Sequence, residues 1–531
     1  MLWLSSLPSS VLSWCLATFL TDTDAVAVAT CSKESFDAMQ RAPYHIKKQL
    51  RWMDDEMFAQ LPSQCKEKSG VGVWLFSSPR PQFRFGQLRR AFVNDPYDAD
   101  DGLRTTSLIA SLPKSVNELQ LGYLPARLPN TIIFPVQLTS LLLGTAQLPK
   151  GSAPLTLPPN LHTLEMPYCP GHPRWQDVIP TLPESLHTLD LGYFAESRSF
   201  KDFPFPPHLT ELNMGQWKGP VAELPPLPTG LRTLAFPAFQ HEARELVKRL
   251  PSSLTELFLD DFVEDSLDGV EWPPSLRSMR LVYQRPLLNW RPPPALETLD
   301  ITWYLPLSDL RLPATLQRLN LLSFEGPIPA SYCWPPTLRA LYLGGAFNSP
   351  LSDAQWPASL EELELPEWDW PCHQLRLPPR LRKLRFGLFF NQSVADLELP
   401  STLEWLGFNN SFNQPVEGVL RLPMQLQQLH FGSGTRGNFA SRFNQPLTNM
   451  QWPSSLQSLF LPSSLKLPLE GLPRLLPPSL RALHRYESDD ATIESAWTAI
   501  VAALPRCQTI IIQEPKSDAF CSQQISFELF K

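Results

Sequence analysis

The chain has 531 residues with 45 Lys and Arg against 52 Asp and Glu, a formal net charge of −7, so no global basic field exists to attract a polyanion and nucleic acid is excluded as the main partner. Its 58 prolines are about twice the usual share of ~5% while its 23 glycines fall below the usual ~7%, which excludes a collagen-like chain. With 43% hydrophobic and only 18% charged residues it is too apolar for a disordered chain, yet no stretch reaches the ~18 to 20 apolar residues of a membrane helix, so no membrane partner is expected.

Residues 1–45 read as a small helical segment. Ser9 or Ser10 can cap a helix that carries Val11, Leu12, Leu16, Phe19 and Leu20 on one side, and Thr23 can cap a second through Val26 to Thr30. The order Leu7-Pro8-Ser9-Ser10-Val11-Leu12, then Phe19-Leu20, Asp24 and Cys31-Ser32-Lys33 with Phe36, resembles an F-box. The resemblance implies that Leu7, Pro8, Val11, Leu12, Phe19 and Leu20 dock onto a Skp-type adaptor of a cullin-based ubiquitin ligase, in the cytoplasm or nucleus. Two other readings stay open. A secretory signal would use Ala27-Val28-Ala29 as its cleavage site, although no Lys or Arg precedes Lys33 and Pro8 and Thr21 to Asp24 interrupt the apolar run. A plain amphipathic helical cap on the rest of the chain also fits.

Residues 46–104 form a junction and a degenerate first coil: a basic start at Lys47, Lys48 and Arg51, a strand-like Val71 to Phe76, and acidic Asp95, Asp98, Asp100 and Asp101. From 105 to 486 a ten-residue phrase (apolar, Pro, x, x, Leu, x, x, Leu, x, apolar) recurs seventeen times, its prolines running from Pro113 to Pro477. Successive first leucines lie 20 to 30 residues apart, and their mean of about 22.8 falls within the roughly 20 to 29 of leucine-rich repeats, whose class the Leu-x-x-Leu-x-Leu core resembles. Leu-x-Leu alternation turns both leucines to one face of a short strand, and no single copy can cover that face, so copies must stack. Proline lacks an N–H and suits the entry turn of each coil rather than a ladder. The expected fold is an α/β solenoid, a leucine-rich-repeat horseshoe of about 17 short parallel strands whose convex connections, rich in paired prolines, are mostly non-helical, preceded by the helical F-box-like segment.

Later copies add a second signature, Phe347-Asn348-Ser349-Pro350, Phe390-Asn391-Gln392-Ser393, Phe412-Asn413-Gln414-Pro415 and Phe443-Asn444-Gln445-Pro446, which resembles the FNIP-type repeat. Stacked asparagines should bond the backbone of neighbouring coils, with the phenylalanines forming a spine beneath. The fourth copy arrives eight residues late, an insertion between Gly432 and Phe443. Residues 487–531 read as a cap: a helix from Ser488 to Leu504, then a strand-like Thr509 to Ile512.

The chemistry of catalysis is missing. Gly432 to Gly437 spells GxGxxG but falls within the insertion with no helix after it; there is no phosphate-loop lysine, no HExxH and no EF-hand spacing. The 8 scattered cysteines include no CxxC pair and read as reduced thiols. Bacterial effector ubiquitin ligases also carry Leu-Pro repeats, but the 45 residues after Tyr486 are too few for their catalytic domain. No enzyme, metal or cofactor is expected.

Residues flanking the second leucine should point outward on the concave face, and Glu256, Phe258, Arg280, Asp300, Arg318, Tyr342, Glu362, Glu364, Lys383, Arg385 and Trp405 are the candidate partner-binding set. Phe258, Tyr342, Trp405 and Phe460 are expected as exposed aromatics among mixed charge, which suits a protein partner. The expected function is a protein–protein interaction module: a substrate receptor of an SCF-type ligase, or alternatively a repeat-only scaffold, cytosolic or secreted.

Overall fold

Each phrase folds alike because its proline and the leucine three residues later close a β-turn. The Leu338 N–H donates to Pro335 O at 3.1 Å, Leu360 to Pro357 at 3.1 Å, and Leu381 to Pro378 at 3.2 Å. Proline therefore occupies the first turn position, where its carbonyl is used and its missing N–H is not needed. In Pro335-Pro336 and Pro378-Pro379 the second ring takes the next position, whose φ proline already favours. The strand begins only five residues after the proline, at Glu362 for Pro357.

The computed structural model describes chiefly residues 72–76, 90–94, most of 116–283, all of 289–432 and 441–462, parts of 465–486, and 508–512. The candidate adaptor residues Leu7, Pro8, Val11, Leu12, Phe19 and Leu20, and the helix expected from Ser488, lie outside the described residues.

Two units divide the chain, Met1–Leu322 and Ser323–Lys531. In the first lie β1 (Gly72–Phe76), β2 (Arg90–Asn94), β3 (Glu118–Leu121), β4 (Ser140–Leu142), β5 (Thr163–Glu165), β6 (Thr188–Asp190), β7 (Glu211–Asn213), β8 (Thr233–Phe236), β9 (Glu256–Phe262), β10 (Ser278–Tyr283), β11 (Thr298–Ile301) and β12 (Arg318–Leu321). The second holds β13 (Ala340–Tyr342), β14 (Glu362–Leu365), β15 (Lys383–Phe386), β16 (Trp405–Phe408), β17 (Gln428–Phe431), β18 (Ser458–Leu461), β19 (Ala482–Tyr486) and β20 (Gln508–Ile512). Within each unit successive strands pair in parallel, leucine opposite leucine, as in Leu363↔Leu384 and Leu384↔Leu406. β3 to β19 are the seventeen phrases, so the leucine-rich-repeat solenoid is the fold. Connections are mostly non-helical, with a short helix at Ala243–Val247 and 3₁₀ turns at Val221–Glu223, Leu307–Asp309 and Cys372–Gln374. β1, the strand expected at Val71 to Phe76, pairs with β2, a strand the sequence reading did not isolate.

Three ladders lock the coils of the second unit. Leucines at the first and second phrase positions, such as Leu360, Leu363, Leu381 and Leu384, are fully buried. Beneath them Phe390 stacks on Phe386 (4.1 Å between centroids), on Trp368 (5.8 Å) and on Phe412 (5.9 Å), and Phe412 continues to Phe443 (5.9 Å). Outside them a carbonyl ladder climbs the turns: Asn348 Oδ1 accepts from Asp369 N, Asp369 Oδ1 from Asn391 N, Asn391 Oδ1 from Asn413 N, and Asn413 Oδ1 from Asn444 N, at 2.8 to 3.1 Å. The spine and asparagine ladder are as expected from sequence. Trp368 and Asp369 fill the places of Phe and Asn in a coil where no such signature was read.

A further ladder escaped the sequence reading. The hydroxyl just before the first leucine donates to the first-leucine carbonyl of the preceding coil, as from Ser359 to Leu338 (2.7 Å), Thr402 to Leu381 (2.8 Å) and Ser455 to Leu426 (2.6 Å). In the first unit Ser253, Ser275 and Thr315 repeat it.

Register survives the late fourth copy. Asn444 reaches Asn413 across 31 positions at 2.9 Å, where Asn413 reaches Asn391 across 22 at 2.8 Å, and Arg442 N still bonds Asn410 O at 2.7 Å. Deleting residues 433–440 should therefore leave the free energy of urea unfolding within about 0.5 kcal/mol of wild type. A fall of several kcal/mol would show that the insertion is needed for the stack.

Candidate interaction face

A plain strand alternates inward and outward side chains, yet the first two leucines of each phrase are three apart and both buried. The extra residue is absorbed by a bulge-like step. Glu361 N and Glu362 N both donate to Arg339 O (2.8 and 2.9 Å); Arg382 N and Lys383 N converge on Glu361 O; Gln427 N and Gln428 N converge on Glu404 O. Both residues between the leucines thus stand outward. The expected face, built from residues flanking the second leucine, lacked this outer row, although two non-leucine positions between buried leucines were a readable sign of it.

In the first unit Arg280 lies between two carboxylates, Nε to Asp260 Oδ1 at 3.0 Å and Nη1 to Asp300 Oδ2 at 4.0 Å. Burial, opposed by Arg280, pushes the Asp300 carboxyl up to about 6. Phe258 is half-buried, Glu256 beside it likewise, and Arg318 is exposed. Glu165 and Asp190, on neighbouring rungs, are both raised by burial, and Glu165 is raised further by Asp190.

The Asp300 shift has a testable sign. A carboxyl raised in the folded state favours folding below its unfolded value, near 4, and that advantage is lost as pH rises through about 6. Asp300→Asn should therefore stabilise the protein at pH 7 to 8 by roughly 1–3 kcal/mol, with the difference vanishing below about pH 4. Thermal melts across that range check it; destabilisation at pH 8 would contradict it.

In the second unit one rung is wholly acidic and the next wholly basic. Glu361, Glu362 and Glu364 face Arg382, Lys383 and Arg385, in register Glu362↔Lys383 and Glu364↔Arg385. Lys383 Nζ lies 2.8 Å from Glu364 and 3.9 Å from Glu362, Arg385 is 3.8 Å from Glu364, Arg382 Nη2 is 2.7 Å from Glu404, and Arg339 is 3.9 Å from Glu361. These charges of the candidate partner-binding set pair with one another across the sheet. Surface pairs of this kind add little stability but fix which rung meets which.

Beyond them the face turns aromatic. Trp405 is half-buried, and its indole lies across Gly407, where an added Cβ would stand 2.3 Å from the ring. Lys383 Nζ sits over the ring at 5.6 Å and His430 lies 4.8 Å away. His430 and His484 sandwich Phe460, each 4.9 Å from it and nearly parallel. Phe460, expected to be exposed, is 6% exposed because the two imidazoles cover its faces. Burial, with His484 and Arg385 nearby, pushes His430 down to about 4, and burial also lowers His484. Tyr342 is half-buried at the first rung of this unit.

Glu361, Arg382, Glu404 and Gln427 on the outer row and Glu362, Lys383, Trp405 and Gln428 on the inner row border a shallow open groove across β14 to β17. Among the described residues no group of three or more His, Cys, Asp or Glu could hold a metal ion, and no helix is long and apolar enough to cross a membrane.

The FNIP Repeat family matches residues 390–434, which contain two of the four Phe-Asn signatures and strands β16 and β17. No curated protein matches the chain. Among solved structures the chain is similar to CroV588, described as a novel circular LRR protein (21% identity, TM-score 0.40, 76% of this chain and 66% of that one). It is similar also to YopM from Yersinia enterocolitica WA-314 (22%, 0.38, 74% and 88%) and to a TLR13–ssRNA13 complex (15%, 0.43, 76% and 72%). The match to CroV588 takes in just under two thirds of that protein's length.

Proposed function

We propose that the protein is a non-enzymatic interaction module, a substrate receptor whose F-box-like N-terminus engages a Skp-type adaptor and, through it, a cullin, while the repeat face holds a protein substrate for ubiquitination. The observation that carries the interaction reading is the repeat face itself: a parallel-stranded scaffold that stands three side chains outward on a rung, as with Glu361, Glu362 and Glu364 or Arg382, Lys383 and Arg385. Support for the ligase half comes from the sequence of Leu7 to Phe36 and is independent of the face. Half-buried Phe258 and Tyr342, each among charged neighbours, are the anchors for a protein partner, since aromatic side chains with a polar surround carry most interface energy. This reading puts the protein in the cytoplasm or nucleus.

The test uses the full chain. It should co-elute with a Skp-type adaptor on a sizing column, and Val11→Asp with Leu12→Asp should abolish co-elution while the circular dichroism of the repeats stays unchanged. Failure of the wild-type chain to bind adaptor would remove the ligase role and leave a repeat-only scaffold, the reading favoured by a family match that falls wholly within the repeats.

A further inference from the structure

Beyond that reading, and independently of it, we propose that His430, Phe460 and His484 form an acid-released latch: as neutral imidazoles the two histidines cover Phe460, and on protonation they part from it and expose its ring on the repeat face.

The latch stands on geometry. The three residues each follow the second leucine of their phrase, on β17, β18 and β19, and the pairs His430↔Phe460 and Phe460↔His484 set them on neighbouring rungs. Each imidazole lies nearly parallel to the phenyl ring, at 14° and 12°, with centroids 4.9 Å apart. Trp405 closes the other side of His430 at 4.8 Å. So covered, Phe460 is 6% exposed, whereas Phe258, at the same place on β9 between Ala235 and Arg280, is half-buried. Beneath the stack Leu429, Leu459 and Leu483 are fully buried, so the rings can part while the core of the coils stays closed.

Such a stack holds a neutral imidazole and opposes a charged one. Nε2 of His430 is buried with no hydrogen-bond partner among the described residues, so the ring has no acceptor there to satisfy a second N–H. The neighbouring charges give no help. Lys383 and Arg385 on β15 are cations, Glu404 ahead of β16 is taken by Arg382, and Arg481 ahead of β19 is a further cation. No acidic residue occurs in β17, β18, β19 or β20. Phe460 would offer an imidazolium a cation–π contact, but that is weak beside the hydration the charge gives up. Burial, with His484 and Arg385 nearby, accordingly holds His430 down to about 4, and burial lowers His484 as well.

The sign follows. A base lowered in the closed state leaves the closed state undisturbed above its ordinary value near 6.5 and disfavours it progressively as pH falls toward 4. His430 alone should raise the opening constant on the order of a hundredfold between pH 7 and pH 4.

The experiment places para-fluorophenylalanine at position 460 of the full chain and follows its fluorine NMR signal in water and in deuterium oxide, with circular dichroism reporting the fold. The solvent isotope shift should be absent at pH 7 and present at pH 4, while the dichroism of the repeats is retained. His430→Phe combined with His484→Phe keeps rings in the stack but removes the titrating groups, and should abolish the change. In the chain with native Phe460 and isotope-labelled histidine, the signal that His430→Phe removes should titrate near 4. A fluorine signal that stays shielded at pH 4, a double variant that opens as wild type does, a histidine signal that titrates near 6.5, or loss of the whole fold before the signal moves would each overturn the proposal. Adaptor co-elution at pH 7 should be unchanged in the histidine variants, so the two proposals stand or fall separately.

Discussion

Phe390→Ala should cost the protein about 3–5 kcal/mol, whereas Phe389→Ala, one residue earlier, should cost less than about 0.5 kcal/mol. The two side chains are chemically identical and differ only in direction. Phe390 is fully buried, 4.1 Å from Phe386, 5.8 Å from Trp368, 5.9 Å from Phe412 and 6.2 Å from Phe408. Phe389 is 54% exposed. Removing Phe390 opens a gap in a column that coils above and below share, and each lost ring pair adds a fraction of a kcal/mol beyond area. Urea unfolding followed by circular dichroism should show the shift, and amide exchange should place the loosening at β15 and β16 first. Equal costs for the two substitutions would mean that the spine does not bear the stack.

Gly387→Ala should be nearly as damaging, at about 3 kcal/mol or more, while Gly345→Ala should be neutral. A Cβ on Gly387 would sit 1.4 Å from the carbonyl oxygen of Pro366, whereas one on Gly345 meets nothing within 4 Å. The contact at Gly387 is backbone against backbone, in the place where Leu388 N donates to Pro366 O at 2.9 Å, so no side chain can turn aside to make room. Thermal melts of the two variants decide the matter, and equal melting temperatures would contradict it.

These contrasts show where sequence is informative and where it is silent. The turn, the buried leucines and the asparagine ladder were legible because each rests on one residue type recurring at a fixed phase. The coil at Trp368-Asp369 was missed because tryptophan and aspartate do the work of phenylalanine and asparagine: a large flat ring and a carbonyl oxygen suffice. On the face, the identities of Glu362, Lys383 and Trp405 were readable, but their states were not. That Lys383 is held by Glu364 and that Phe460 is covered by His430 and His484 depend on which rung neighbours which, a relation spanning 19 to 30 residues of sequence, and that Trp405 lies over Gly407 depends on which way its side chain turns along the strand. Phe390 is told from Phe389 only by its place before Asn391 in the repeated signature, not by its own identity.

The ladder that climbs the turns has a consequence for how such a chain grows. Each coil offers one acceptor to the coil above and donates one N–H to the acceptor of the coil below, so a duplicated stretch of some 22 residues arrives with both halves of its own joints. Tandem duplication can therefore lengthen the molecule by one unit at a time without redesigning its neighbours, and each added unit brings three fresh outward positions to diversify. Reach is set by copy number and preference by a few free letters per copy, and selection can act on either while leaving the other alone.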